Sequence, residues 1–277
     1  MRDYRVQLAK NTLDIQRQGF YYLGNKRISI ANLQKSAENS TRILTPEDCE
    51  NILKRLRITD KQVEAVIDIV NKSTVWSIIK EQQPDTKIAA LNFASARNAG
   101  GGFIRGSMAQ EEALCYADGL YNTQILHPEY YEANLRNRAM TYTNHAIYSP
   151  EVPFFRNDKD DLLEVPVTAS ILTMPAVNIR EVKLKGENIE QANKVMKHRM
   201  ELCLGIFVHE QADTIILGAY GCGIFGNDSY QIAVRWKELL HEYGFNKRFK
   251  RIVFAVLDKP DGRTIKIFKE VLLPHKV

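Results

Sequence analysis

The chain has 277 residues, 44% of them hydrophobic, with only 15 glycines and 9 prolines, so it can bury a sizeable core and is neither fibrous nor disordered. Its 38 basic side chains against 33 acidic ones give a net charge of +5. That mild excess favours an anionic ligand, and because acids and apolar residues interrupt the basic ones, direct nucleic-acid binding is not expected.

No segment reaches the ~18 consecutive apolar residues of a membrane span, and the N-terminus has no apolar leader. Cys49, Cys115, Cys203 and Cys222 form neither a CxxC pair nor a metal-ligand spacing. The expectation is a cytoplasmic, reducing setting with no membrane partner, no disulfide and no structural metal.

From Tyr4 to about Leu56 the pattern is polar and helical, with Leu8, Leu13 and Ile15, the aromatic patch Phe20-Tyr21-Tyr22, and Leu33. Thr45-Pro46-Glu47-Asp48 reads as a helix start: a cap, a proline in the first turn and two acids at the positive end of the dipole. Residues 1–56 are therefore expected to be a helical extension packed on a main domain of residues 57–277.

Apolar runs then alternate with helical ones. The pattern predicts a strand-like run over 63–70, a helix over 73–81, a strand over 88–94 and a helix over 108–120. Strand pieces follow near 146–148 and 171–174, then a helix over 187–209, a strand over 214–218, a helix over 229–243 and a strand over 251–257. Ile265, Phe268, Val271 and Leu272 close the chain with helical spacing. Such alternation predicts an α/β fold whose parallel or mixed sheet is covered on both faces.

Two of these strands run into ligand-type loops. The first passes from Leu91 through Gly100-Gly101-Gly102 to Gln110-Glu111-Glu112, and the second runs from Leu217 through Gly221-Cys222-Gly223-Ile224-Phe225-Gly226 to Asp228. Loops beyond the carboxyl ends of parallel strands share one crevice, which makes a single pocket from both the natural expectation. The first loop lacks the register of a GxGxxG dinucleotide fingerprint.

Ser107 and Gln110 have the spacing of a capping box, which would place Glu111 and Glu112 in the first turns of the next helix. Consecutive helical residues point about 100° apart, so the two acids can hold different parts of one ligand. Two like charges in a desolvated cleft push at least one pKa upward, and the pair suits glycosidic bond cleavage. In the second loop, amides near a helix start suit phosphate oxygens, with Asn227, Asp228 or Ser229 as the cap. Cys222 has no histidine partner for thiol catalysis, so it reads as a small loop filler. His127 and His145 bracket Tyr130, Tyr131 and Tyr142 in a stretch read chiefly as core or surface, with one wall of the cleft as the alternative. Asp158, Asp160 and Asp161 read as solvated, and no metal is assigned.

The chain resembles the bacterial-type poly(ADP-ribose) glycohydrolases, a branch of the macrodomain superfamily. The resemblance rests on Leu91-Asn92-Phe93-Ala94-Ser95-Ala96 before the three glycines, on Gln110-Glu111-Glu112, and on Gly221 to Asp228 ahead of a helix. It implies a three-layer α/β/α macrodomain with a mixed central sheet and added N-terminal helices. It also implies a monomer that needs no cofactor and acts on poly(ADP-ribose) or an ADP-ribosylated macromolecule. By the resemblance, Glu112 protonates the leaving 2'-oxygen and then activates water, while Glu111 holds ribose hydroxyls. Gly100, Gly101, Gly102 and Phe103 would pack against the diphosphate and reacting ribose, and Gly221, Cys222, Gly223, Ile224 and Phe225 would close over the diphosphate. Phe225 would also orient the terminal ribose, and Ser95, Asn98, Gln110 and Gly226 complete the expected substrate contacts. Ala99 replaces a proline of many relatives, and Ser95 stands where animal relatives carry asparagine. Removal of a single ADP-ribose from protein or nucleic acid, and non-catalytic ADP-ribose binding, are the competing readings.

Overall fold

The computed structural model describes residues 1–56 and 64–273. It begins with helix α1 (Arg2–Gln18), a hairpin of β1 (Phe20–Leu23) and β2 (Lys26–Ser29), helix α2 (Ala31–Ser40), strand β3 (Arg42–Leu44) and helix α3 (Pro46–Arg55). Next come β4 (Val66–Val70), α4 (Thr74–Lys80), β5 (Ile88–Phe93), a single 3-10 turn at Phe103–Arg105, and the helices α5 (Gln110–Ala117), α6 (Leu120–Ile125) and α7 (Pro128–Arg136). Two long strands follow, β6 (Ala146–Arg156) and β7 (Leu162–Met174), then α8 (Ile179–Leu184), α9 (Ile189–His209), β8 (Thr214–Leu217), α10 (Ser229–His241), β9 (Arg251–Ala255) and α11 (Arg263–Leu272).

β5 and β8 are apolar at every position but Asn92 and Thr214, as strands covered on both faces require. Along β5 the pleat sends Ala89 and Leu91 into a core shared with Met200 of α9, Trp236 of α10 and Phe268 of α11. Ile88 and Ala90 point the other way, into a core with Leu8 of α1, Ile78 of α4 and Leu114 of α5. The result is three layers. The seven-stranded sheet has the order β3-β6-β7-β5-β8-β9-β4; β3, β6 and β7 pair antiparallel, and β7, β5, β8, β9 and β4 pair parallel. The mixed α/β architecture is the one expected.

Several elements differ from expectation. Residues 4–56 are not uniformly helical, because Phe20-Tyr21-Tyr22 forms half of a hairpin whose turn contains Gly24 at φ 59°. Part of this segment also enters the main sheet: β3 pairs with β6 through Ile43↔Ile147. The cap at Thr45 forms as read, with the Asp48 amide donating to Thr45 Oγ1 and the Asp48 carboxylate accepting from the Thr45 amide. The helix expected over 108–120 stops at Ala117. There the buried Asp118 accepts the Leu120 amide at 2.9 Å, and Gly119 passes so close to Gln34 that a Cβ would lie 1.8 Å from its Oε1. The pieces at 146–148 and 171–174 are the ends of strands of 11 and 13 residues. Val63, the start of the first expected strand, lies outside the described residues.

The N-terminal helix braces the loop and helix that follow β5. Arg5 Nε donates to the Gly106 carbonyl at 2.8 Å, Thr12 Oγ1 to the Tyr116 carbonyl at 2.9 Å and Gln16 Nε2 to the Asp118 carbonyl at 2.7 Å. Leu8 and Ile15 are buried as well, and each such side chain contributes ~1.5–3 kcal/mol. Deleting residues 1–45 is therefore expected to lose a large share of a typical folding free energy of roughly 5–15 kcal/mol. Thermal unfolding followed by circular dichroism should become broad and low; a melt as sharp and as high as that of the full chain would contradict this role.

Candidate functional site

Strands β7, β5 and β8 are adjacent and parallel, so their carboxyl ends open on one edge of the sheet, and the loops after them meet there. They enclose a cavity of about 310 Å³ lined from the first loop by Ser95, Asn98 and Gly101, from α5 by Gln110, Glu111 and Glu112, and from the third by Gly221, Gly223, Ile224 and Phe225. The two distant glycine-rich segments thus share one cleft. Tyr142 forms part of the remaining wall. Arg199 steadies that wall from beneath: it is fully buried and donates to the carbonyls of Tyr142 at 3.4 Å and Pro175 at 2.9 Å.

Gln110 fixes where α5 begins. Its Oε1 accepts the Phe93 amide at 2.8 Å, and its Nε2 donates to the Leu91 carbonyl at 2.9 Å and to Thr74 Oγ1 at 3.1 Å. The expected capping box is absent: Ala109 is the cap residue, without a side-chain hydrogen bond. Ser107 instead lies against the glycine turn, where a Cβ on Gly102 would meet its Oγ at 2.1 Å. With α5 pinned to β5, both carboxylates face the loop above.

Glu111 is 3% exposed and held by three donors. Its Oε1 accepts Asn92 Nδ2 at 3.2 Å and Gln124 Nε2 at 3.0 Å, and its Oε2 accepts the Ser95 amide at 2.7 Å. Burial pushes its pKa up to about 7, which the three donors oppose and the neighbouring Glu112 charge reinforces. Glu112 is 8% exposed. Its Oε1 accepts the Gly102 amide at 2.7 Å, and among the described residues its Oε2 has no hydrogen-bond partner.

The turn must be glycine to sit this close. Gly101 has φ 58°, and a Cβ there would lie 2.6 Å from Glu112 Oε1 and 3.0 Å from Glu111 Oε2. Gln124 ties the turn to the network from below, since its Oε1 accepts the Gly100 amide at 2.8 Å while its Nε2 serves Glu111. In the second loop Gly221 has φ 72°, and a Cβ would meet Ala176 Cβ and Asn227 Nδ2, each at 2.6 Å. Asn227 Nδ2 donates to the carbonyls of Val177 and Gly221, the Arg180 amide binds the Phe225 carbonyl, and Asp228 caps α10.

Five expected contacts stand back from the cavity. Phe103 is fully buried, with its ring 5.0 Å from Tyr116 and 5.4 Å from Tyr121, so it supports the turn rather than presenting a face to a ligand. Gly100 is buried beneath the turn, Gly102 contributes its amide to Glu112, and Gly226 follows the loop tip. Cys222 packs against the core with its thiol pushed up to about 12 by burial, which suits a filler and not a nucleophile. His127 pairs with Glu129 and His145 with Thr143 Oγ1; neither lines the cavity. Among the described residues no group of His, Cys, Asp and Glu has the geometry of a metal site.

Sequence reading missed Asn92, Gln124 and Thr173, whose Oγ1 accepts from both amides at 3.1 and 3.4 Å. The available signal was polarity: Asn92 interrupts an otherwise apolar strand and is completely buried.

Residues 9–157 match the family described as microbial-type PARG, catalytic domain. Among solved structures, the chain is similar to the poly(ADP-ribose) glycohydrolase of Thermomonospora curvata, with 34% identity over 97% of this chain and 99% of that one and a TM-score of 0.92. The same enzyme bound to the inhibitor ADP-HPD matches with 34% identity over the same shares and a TM-score of 0.89. The Deinococcus radiodurans poly(ADP-ribose) glycohydrolase in complex with ADP-ribose has 34% identity over 91% of this chain and 99% of that one, with a TM-score of 0.82. No curated protein sequence matches significantly.

The raised pKa of Glu111 has a consequence for stability. A carboxyl group raised from an ordinary value near 4.5 to about 7 favours folding below the lower value, and that contribution is lost as pH rises through the upper one. Urea unfolding of Glu111→Gln and of the parent between pH 4 and 8 should show the parent losing stability relative to the variant across this window. A constant difference at all pH values would contradict the assignment.

Proposed function

This chain belongs to the microbial-type poly(ADP-ribose) glycohydrolase family, and from that premise we propose that Glu112 is the acid and base with which it cleaves ribose–ribose O-glycosidic bonds to release ADP-ribose. The observation that carries the assignment is how the two carboxylates are committed. A carboxylate offers about four lone-pair sites. Glu111 has three filled by protein donors, leaving room for one ribose hydroxyl, whereas Glu112 has one filled and its Oε2 open. The nearly filled group suits holding a sugar, and the open one suits moving a proton.

In the reaction, protonated Glu112 donates to the departing 2'-oxygen as the glycosidic bond breaks, and the ribose takes on oxocarbenium character. The developing positive charge is stabilised by Glu111 and by the substrate's own diphosphate. Ionised Glu112 then takes a proton from water, whose hydroxide adds to the anomeric carbon; the acid is regenerated, and ADP-ribose leaves. The Gly102 amide holds the Glu112 side chain in place through both steps.

Substrate contacts follow from the same cleft. Ser95, Asn98 and Gly101 meet the reacting ribose and diphosphate from one side, and Gly221, Gly223 and Ile224 bring backbone amides and little side-chain bulk from the other. Phe225, whose ring lies 6.1 Å from that of Tyr142, packs against the terminal ribose. Gln110 acts by placing α5, and Phe103, Cys222 and Gly226 act by shaping the two loops. The chain needs no cofactor in this scheme. We further propose a cytoplasmic monomer, in keeping with four free cysteines. Among the described residues no helix is long and apolar enough to cross a membrane.

Glu112→Gln keeps size and hydrogen bonding but removes the transferable proton. Turnover of poly(ADP-ribose) should fall by roughly 10²–10⁴-fold, the usual worth of a general acid–base, while calorimetric affinity for ADP-ribose stays within a few-fold. Parental turnover in the variant would overturn the role; turnover of mono-ADP-ribosylated protein in preference to polymer by the parent would redirect the substrate.

A further inference from the structure

A second groove, of about 410 Å³, adjoins the catalytic cleft across the glycine turn: Arg97, Asn98 and Gly101 line both. Gly101 touches Glu112 on the cleft side, so this shared wall stands at the bond being broken. Beyond it the groove is built from Tyr121, Tyr131, Ile104, Leu135 and Arg105. Ile104 and Leu135 are 50% and 58% exposed, an unusual expense of apolar surface beside two arginines. Among the described residues neither Arg97 nor Arg105 has an ion-pair partner. Among the described residues the Arg97 guanidinium meets only Met140 Sδ, at 3.9 Å, and the Arg105 guanidinium has no hydrogen bond, its backbone alone bonding to Arg2 and Gly102. Among the described residues the one carboxylate on the groove, Glu132, is held by Arg136 at 2.8 Å and leaves the guanidinium charges uncompensated.

We infer that this groove is the leaving-group subsite, and that it takes the adenosine and diphosphate of the polymer unit preceding the one released. The inference rests on the polymer-cleaving reading of the cleft. Breaking a ribose–ribose bond frees the 2'-hydroxyl of an adenosine ribose. The cavity next to the reaction centre on that side therefore receives a purine and, a few bonds further, a 5'-diphosphate. Tyrosine rings with Ile104 and Leu135 match the flat apolar base. Arg105 and Arg97 match the phosphates, for which guanidinium geometry is well suited. A protein side chain as leaving group has no comparable use for two uncompensated cations flanking aromatic walls. The groove thus supplies a basis for preferring polymer over a single ADP-ribose on protein.

Arg105 lines the groove but not the catalytic cleft, so it separates the two sites. Parent, Arg105→Glu and Arg105→Lys should be compared on poly(ADP-ribose), on an ADP-ribose carrying a nitrophenyl group on its anomeric oxygen, on an ADP-ribosylated peptide, and in calorimetry with ADP-ribose. Reversing the charge is expected to raise the polymer KM about tenfold or more, the scale of one charge-assisted contact, with kcat changed less than twofold. Turnover of the nitrophenyl compound and affinity for ADP-ribose should stay within twofold, and Arg105→Lys should recover most of the polymer KM. Unchanged polymer kinetics in Arg105→Glu, or an equal loss on polymer and nitrophenyl substrate, would overturn the subsite. A loss confined to the peptide would overturn it in favour of a protein-binding groove. Failure of the parent itself to cleave polymer would instead defeat the reading beneath it, whatever Arg105 does.

Discussion

The hydrogen bond from the Gly102 amide to Glu112 Oε1, 2.7 Å long, joins the glycine turn to the acidic helix, and the geometry of the site follows from it. It forms only because Gly101 has no side chain, since any Cβ would occupy the space of the carboxylate. It lasts only because both partners are anchored elsewhere. Gln110 fixes α5 to the end of β5, and α1 clamps Gly106 and Tyr116 on either side of the turn and helix. The Glu112 carboxylate is thereby oriented by the protein alone, so in its proposed role little reorganisation would be left for the reaction.

Glu111 poses the opposite problem. Burying an ionised carboxylate costs several kcal/mol even after relaxation, and each hydrogen bond to a charged group returns about 1.5–3 kcal/mol. Three such bonds come close to offsetting the cost without exceeding it, which accounts for a group titrating near neutrality. The donors are themselves interlocked, because Asn92 and Gln124 share Thr173 Oγ1, and Gln124 also receives the Gly100 amide. Charge at Glu111 and the position of the glycine turn are therefore coupled through one side chain.

The α/β class, most strand and helix positions and the convergence of two loops were legible in the sequence, because hydrophobic periodicity and glycine placement are local signals. The capping signature at Thr45 was equally legible. The hairpin at Phe20–Ser29 carried its own signal in Gly24-Asn25 between aromatic and β-branched residues, yet it was obscured by a helical pattern on both sides. β3 has three residues and no periodicity to read; only its pairing with β6 makes it a strand. Ser107 and Gln110 show the limit of motif spacing. Gln110 satisfies β5 backbone instead of its own helix start, a choice that depends on residues 17 and 19 positions away. The support for Glu111 from Asn92, Gln124 and Thr173 was illegible for the same reason, as three separate elements contribute one side chain each.

Glu112 Oε2 is the atom proposed to meet the glycosidic oxygen, and a crystal structure of Glu112→Gln with a short poly(ADP-ribose) fragment bound would locate that oxygen. The side chain at position 112 is expected within hydrogen-bond distance of the bridging 2'-oxygen, with Glu111 contacting hydroxyls of the same ribose. A bridging oxygen beside Glu111, or a fragment seated away from the glycine turn, would contradict it.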